Sequence, residues 1–281
     1  MEYQIRQLLF DDGDKSLQNV ADLQNIVYSG SNHKFTPQGF RFWYLDNPMG
    51  KVISFNAFYK EQLVAHYACI PIKMKISGRV SIGLLDMATV THPEHRGKGL
   101  FKRLAQTTYE YAKENGYEFV IGVANANSFP GYMKYFPFTF IGQLDVKWGI
   151  NISKLCIPDK TYSFYWDKNS IEWRFKRRKY FLKNNSVFGT YNNYPFIKTL
   201  MGLIPVGLCN NICIRKSYSL LRPFNLYVGL GLDMANKFYF NVPKFIKRSP
   251  FNLIFMDLTG GKLPKITKDN IFFQLMDFDV A

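Results

Sequence analysis

Thr91-His-Pro-Glu-His-Arg-Gly-Lys-Gly-Leu-Phe101 lies between two patterned stretches. Upstream, residues 80–91 have the composition of a strand. Downstream, residues 100–115 carry apolar side chains at 100, 101, 104, 105, 109, 111 and 112, and Gly116 follows the last of them. That spacing predicts an amphipathic helix. Arg96, Gly97, Lys98 and Gly99 fall at the join. Small residues let the backbone approach a ligand, and the N–H groups at a helix start hold an anion. Arg96 and Lys98 add positive charge, so the expected product is a pyrophosphate cradle. Gly-Lys-Gly by itself fits a plain turn equally well, and only the strand and helix on either side favour a ligand loop.

Further out, residues 3–9 suit a first strand. Asp14 or Ser16 could cap a helix running to about Tyr28, and 36–45 is a second helix with Pro37 at its first position. A meander follows, with strands at 52–59, 63–76 and 80–91 and turns at 60–62 and 77–79. Beyond the helix at 100–115 come a strand at 119–123, a short helix at 128–135 and a strand at 138–148. The fold class is α/β of the α+β kind, a mixed and mostly antiparallel sheet flanked by helices. One parallel pair sits astride the loop-helix unit. A first unit is expected over 1–150 and a second over 151–281. In the second, residues 223–231, 236–242 and 251–258 look strand-like, and 271–279 form its end. Phe40-Arg-Phe-Trp-Tyr and Ile171-Glu-Trp-Arg-Phe open the two halves similarly, a weak hint of a repeat.

The composition, 47% hydrophobic and 17% aromatic over 281 residues, excludes a disordered chain. The net charge of +15 is uneven: 1–150 carry +3 and 151–281 carry +12. Such a split points to an anionic partner for the second half. A phosphorylated small molecule is the first choice, ahead of nucleic acid, and association with an anionic membrane surface also fits. Of Cys69, Cys156, Cys209 and Cys213, the last two are four apart, but no other Cys or His lies near them to complete a metal site, so no metal is expected. The start of the chain lacks the pattern of a signal peptide, and the most apolar stretch, 199–214, is broken by Gly202, Pro205 and Gly207. A cytoplasmic location is expected.

The order strand, His92-Pro-Glu-His-Arg-Gly-Lys-Gly-Leu100, helix resembles the acyl-CoA motif of the GNAT superfamily of N-acyltransferases, Arg/Gln-x-x-Gly-x-Gly/Ala. Arg96 and Gly99 match, and Phe101 departs from the last small position. Asn125, Ser128, Tyr132 and Lys134 fall where the family carries Asn-x-x-Ala-x-x-x-Tyr-x-Lys. The resemblance covers about residues 3–148. It implies a GNAT fold, acetyl-CoA as co-substrate, and a second domain that is a degenerate GNAT-like unit. It also implies that the amides of Arg96, Gly97, Lys98, Gly99, Leu100 and Phe101 hold the pyrophosphate. Backbone at Val90 and Thr91 would pair with the pantetheine, Asn125 would bond to the same arm, and Tyr132 would protonate the leaving thiolate.

Direct attack of an amine on a thioester requires a base. Asp86 is the first candidate, because a carboxylate inside Ile-Gly-Leu-Leu-Asp-Met-Ala is unusual. Its alternative is a structural partner to an Arg or an amide. His66 and His92 are weaker candidates, and Glu94 and His95 are expected to face solvent. The whole chain is similar to two-part GNAT proteins of bacterial surface-polysaccharide genes, on Phe42-Trp-Tyr-Leu-Asp-Asn-Pro, the loop, and Ser249-Pro-Phe-Asn with a Phe-Asp ending. That implies a nucleotide-linked amino sugar as acceptor, and Arg174 and Arg178 are spaced to grip its diphosphate. The rivals are acyl or aminoacyl transfer to a peptide, protein or antibiotic amine, and a non-catalytic CoA-binding protein of the same fold.

Overall fold

The computed structural model describes residues 2–10, 13–30, 34–150, 158–176, 180–183, 186–189, 204–208, 224–232, 239–242 and 249–278. The first part follows the expected order: β1 (Gln4–Gln7), α1 (Lys15–Val27), α2 (Pro37–Tyr44), β2 (Ile53–Tyr59), β3 (Gln62–Ile76), β4 (Arg79–Thr91), α3 (Leu100–Glu114), β5 (Phe119–Ala124) and α4 (Phe129–Tyr135). The start of α2 is fixed by Thr36, whose Oγ1 accepts from the Gly39 amide at 3.2 Å, and by the following proline. β1 to β4 form an antiparallel meander. The α3 crossover then returns the chain to pair β5 parallel to β4.

The strand expected at 138–148 is two strands. β6 (Thr139–Gln143) and β7 (Asp145–Ile150) part at Leu144 and enter different ladders. From there the sheet crosses the boundary expected at residue 150. In the later part lie β8 (Tyr162–Phe164), α5 (Lys168–Phe175), β9 (Tyr180–Lys183), β10 (Ser186–Gly189), β11 (Ile204–Leu208), β12 (Phe224–Leu230), β13 (Tyr239–Asn241), β14 (Asn252–Asp257) and β15 (Ile271–Gln274). β14 lies between β5 and β6 and pairs antiparallel with both. The segment that completes the first unit's sheet therefore comes from near the end of the chain. β3 is long enough to pair with β2 over 53–59 and, at its far end, with β8 over 162–164. Through β8, β15 and β12 the ladder continues to β7 and β11. Residues 275–278 are a short helix, α6 (Leu275–Phe278).

Two apolar cores lie on the two faces of the sheet. One gathers α1, α2 and the later strands around Tyr44, Ile70, Phe119 and Phe273. The other packs α3 and α4 against Tyr67, Leu84 and Val120. Helix α3 buries Leu100, Leu104, Ala105, Tyr109 and Ala112; each large side chain there is worth about 1.5–3 kcal/mol. The similar segments that open the two halves meet. Trp173 of α5 stacks on Phe42 of α2 with ring centroids 5.2 Å apart, and its Nε1–H donates to the Phe42 carbonyl at 3.1 Å. Among the described residues, no helix is long and apolar enough to cross a membrane.

Candidate active site

The site is built where β4 leaves β5. Their parallel ladder pairs Leu84, Leu85 and Asp86 with Val120, Ile121 and Gly122. β4 runs on to Thr91, held on its other edge by β3 as far as Ala65↔Thr91. The backbone of residues 87–91, which includes Val90 and Thr91, thus faces the β5 side without a ladder partner and can bond to an extended ligand. The β3–β4 register shifts between Ala68 and Cys69, so Ala68 faces Ala88 while Cys69 faces Asp86. This bulge at Met87 lies beside the last β4–β5 pair and re-aims the side chains that follow.

Above the opening lies the glycine loop. Gly97 and Gly99 have φ of 73° and 71°, a left-handed conformation that L side chains adopt at a cost. Nothing stands within 4 Å of a Cβ built on either, so backbone conformation, not packing, calls for glycine. Arg96, Gly97, Lys98 and Gly99 are exposed, while Leu100 is buried and anchors the first turn of α3. The amides that open a helix have no partner within it. Here they lie next to the exposed Arg96 and Lys98. The Phe101 ring does not cover the loop. It points inward, 5.1 Å from the Tyr132 ring and 5.9 Å from Phe136, and a Cβ on Gly131 would come within 3.2 Å of it.

At the floor of the opening, the Asp86 carboxyl lies among the hydroxyls of Tyr132 and Tyr67, which favour its charged form. Burial pushes its carboxyl up to about 6, and the two hydroxyls hold it from rising further. A Cβ on Gly122 would stand 3.2 Å from the Asp86 Cβ, so the carboxylate packs over bare backbone of β5. The Tyr132 hydroxyl lies 3.5 Å from Thr89 Oγ1, and Tyr67 and Tyr109 share a hydroxyl–hydroxyl bond. Burial raises all three phenols well above their ordinary range and keeps them protonated.

Other candidates are placed differently. His66 is fully buried, its Nε2 2.7 Å from the Tyr44 hydroxyl and its Nδ1 2.7 Å from Asn56 Oδ1. Burial lowers its pKa to about 3. It is a neutral, doubly bonded core histidine on the α1–α2 face, opposite to Tyr132, and not a base for an incoming amine. His95, expected in solvent, is buried, and its Nδ1 lies 3.0 Å from the Tyr3 hydroxyl. Asn125 is exposed and spends its Oδ1 on the amides of Asn127 and Ser128 at 2.9 and 3.0 Å, so only its NH2 can donate to a ligand. Arg174 is 2% exposed; its Nε donates to the Met276 carbonyl at 3.0 Å, and its guanidinium lies 4.8 Å over Trp43. Its charge also faces Asp277, whose Oδ1 accepts from Trp166 at 2.7 Å and whose carboxyl burial pushes up to about 7. Arg174 is an internal brace and does not present a surface to a diphosphate. Arg178 lies outside the described residues.

Sequence reasoning missed Tyr67, Tyr109 and Thr89. Tyr67 stands directly opposite Thr89 across the β3–β4 ladder. The register of the hairpin would have revealed that pair, but the bulge hides it from counting. His92, Glu94 and His95 also bring one potential ligand atom each within 4.8 Å of one another, a grouping the cysteine and histidine spacing did not suggest.

The loop, the divergence of β4 from β5 and the α3 crossover coincide with a known family. The sequence matches the acetyltransferase (GNAT) domain family over residues 13–136. Those residues form a GNAT domain. It is the domain of an acyl-CoA-dependent N-acyltransferase. No curated protein matches the sequence significantly. The fold is shared with a conserved protein of unknown function from Enterococcus faecalis V583 (TM-score 0.61, 9% identity, 92% of this chain and 73% of that one). It is shared as well with a GCN5-related N-acetyltransferase from Kribbella flavida (TM-score 0.58, 10%, 92% and 73%) and with Eis1 from Mycobacterium abscessus (TM-score 0.56, 9%, 92% and 74%). The family match stops before β6 and β14, so the GNAT domain borrows its closing strand from beyond the matched segment.

Proposed function

We propose that the chain moves an acetyl group from acetyl-CoA to the amine of a small molecule by direct attack. The observation that carries this reading is the Asp86–Tyr132 pair at the floor of the β4–β5 opening, below an exposed glycine loop. The amides of residues 96–101 hold the pyrophosphate, and the open edge of β4 around Val90 and Thr91 pairs with the pantetheine and polarises the thioester carbonyl. The amine nitrogen forms a bond to the carbonyl carbon while the C–S bond breaks and the sulfur leaves with its electron pair. Asp86 takes the proton the nitrogen loses, and Tyr132 gives one to the thiolate. Because the two face each other, the proton on Asp86 can restore Tyr132, and the pair ends as it began.

For the acceptor, the sequence favours a nucleotide-linked amino sugar of the kind surface polysaccharides use. The support is the +12 charge of residues 151–281, to which Arg174 adds charge but no accessible contact. An acyl acceptor on a peptide or antibiotic would not need that charge. The test is release of free thiol from acetyl-CoA by purified protein across nucleotide amino sugars, polyamines and peptides, with the Gly99→Asp variant as control. Asp at 99 would add a side chain where φ is 71° and a negative charge beside the phosphates. Unchanged CoA affinity by calorimetry in that variant would overturn the loop assignment. Thiol release with polyamines or peptides but not with nucleotide amino sugars would overturn the acceptor.

A further inference from the structure

His92-Pro-Glu-His95 is the part of the β4–α3 connection that the proposed transfer does not use. Pro93–His95 form one 3₁₀ turn with His92 at its N-cap. Such a turn repeats every three residues, so His92 and His95 stand over the same edge. Their ring centroids are 5.6 Å apart. Two imidazoles on one tetrahedral ion, each nitrogen about 2.0–2.1 Å from it, have ring centres about 5 Å apart. Glu94 is exposed, and among the described residues it forms no ion pair. Its carboxylate and one nitrogen of each ring lie within 4.8 Å of one another. A swing of that free side chain closes the set to the roughly 3.4 Å between ligands of a tetrahedral ion.

His95 is already held as a metal-bound histidine is held. It is buried, and its ring packs against Tyr3 and Tyr59 with centroids 5.7 and 5.3 Å away. Its Nδ1 lies 3.0 Å from the Tyr3 hydroxyl. With Nδ1–H donating to that oxygen, Nε2 keeps its lone pair, and the ring cannot turn away. The Nδ1 of His92 accepts from the Glu94 amide at 3.4 Å, a long contact that a bound ion can replace.

We propose that His92, Glu94 and His95 bind one divalent ion of the zinc class, with water in the fourth position. Two imidazoles and a carboxylate suit zinc and its d-block neighbours, whereas magnesium and calcium take oxygen ligands. The ion stands outside the chemistry. The turn packs on Tyr3 and Tyr59, and Asp86 and Tyr132 lie where β4 leaves β5. Its effect is on the connection itself. It ties His92 and Glu94 to a histidine anchored on the sheet, and the tied turn runs directly into Arg96-Gly-Lys-Gly99. The ion therefore steadies the loop before a ligand arrives. That consequence rests on the reading of the loop as the pyrophosphate cradle; the metal site does not.

The experiment is calorimetric titration of chelator-treated protein with zinc chloride, with cobalt(II) as a visible-absorption probe of four-coordination. The parent should take one ion with micromolar affinity, and its melting temperature should rise with zinc. His92→Gln/Glu94→Gln changes two side chains outside the core; it should melt like the metal-free parent, bind roughly 100-fold more weakly and gain nothing from zinc. Tyr3→Phe keeps all three ligands and should weaken binding roughly tenfold, because it frees the His95 ring. A parent that takes up no zinc, or a double variant that binds it as well as the parent, would overturn the site. CoA affinity should be severalfold tighter with zinc than without it in the parent alone. Zinc bound with no such change would overturn the hold on the loop. Zinc bound by a parent that does not bind CoA would overturn the cradle reading and leave the metal site standing.

Discussion

The Tyr132 hydroxyl faces the Asp86 carboxylate and shifts its ionisation, although one residue lies on α4 and the other on β4. A phenol kept protonated and a carboxyl raised to about 6 thus face each other at the point where two strands part. The raised carboxyl is protonated below pH 6 and ionised above it, which is the poise a base needs near neutrality.

If Asp86 is the base, kcat/KM for the amine should rise with pH through about 6 and then level, until a second group intervenes. Asp86→Asn should lower kcat by roughly 10²–10⁴-fold. The same shift bears on stability. A carboxyl raised in the folded state contributes stability that is complete below its unfolded pKa and is lost as pH rises through about 6. Asp86→Asn should therefore gain melting temperature relative to the parent at pH 8 and not at pH 4. A parent profile flat from pH 5 to 8, with Asp86→Asn fully active, removes Asp86 from the chemistry.

Tyr132→Phe should lower kcat by about 10²-fold and leave CoA affinity within about twofold. A proton given only as the sulfur leaves stabilises the transition state and not the bound thioester. The variant also deletes one hydroxyl that holds Asp86 down, so the acidic limb of kcat/KM should move to higher pH. Parent-like turnover would make Tyr132 a packing residue between Phe101 and Phe138.

His66→Ala should cost roughly 2–4 kcal/mol of stability, because it strands the buried Tyr44 hydroxyl and the Asn56 amide and leaves a cavity. The parent should lose stability as pH falls from the ordinary histidine range towards about 3, since a histidine with a lowered folded pKa stabilises only above it. That part of the acid sensitivity should vanish in the variant. The pH dependence of kcat should not change, and a change would restore His66 as a catalytic candidate.

Arg174→Gln should lower stability by roughly 2–4 kcal/mol and leave the Michaelis constant of the acceptor unchanged. The guanidinium braces Trp43, the Met276 carbonyl and the buried Asp277, so its loss is felt inside the protein. A raised acceptor constant at parent-like melting temperature would place Arg174 in the acceptor site after all.

Residues 1–150 expressed alone should not reach a native state. Without β14, the apolar strand β5 has an open edge and β6 has no partner. Near-UV circular dichroism and size-exclusion chromatography of the fragment check this. A monomeric fragment with native-like spectra and CoA binding would show that the first part closes its sheet without residues 252–257.

The sequence alone determined most of what is local. Spacing of apolar side chains set α3, alternation and turn residues set the meander from β2 to β4, and Gly97 and Gly99 marked a small-residue loop at a helix start, because each of these is fixed by neighbours a few residues away. The oddity of Asp86 in an apolar strand was legible for the same reason. Only the tertiary structure decided the rest. The slip at Met87 set which β3 residue faces Asp86, and packing from opposite faces separated His66 from Tyr132. β14 comes from 252–257 to sit between β5 and β6, and Arg174 is buried between Trp43 and Asp277. These depend on contacts between residues distant in the chain, where strand pairing and burial carry the information and no local pattern records the partner.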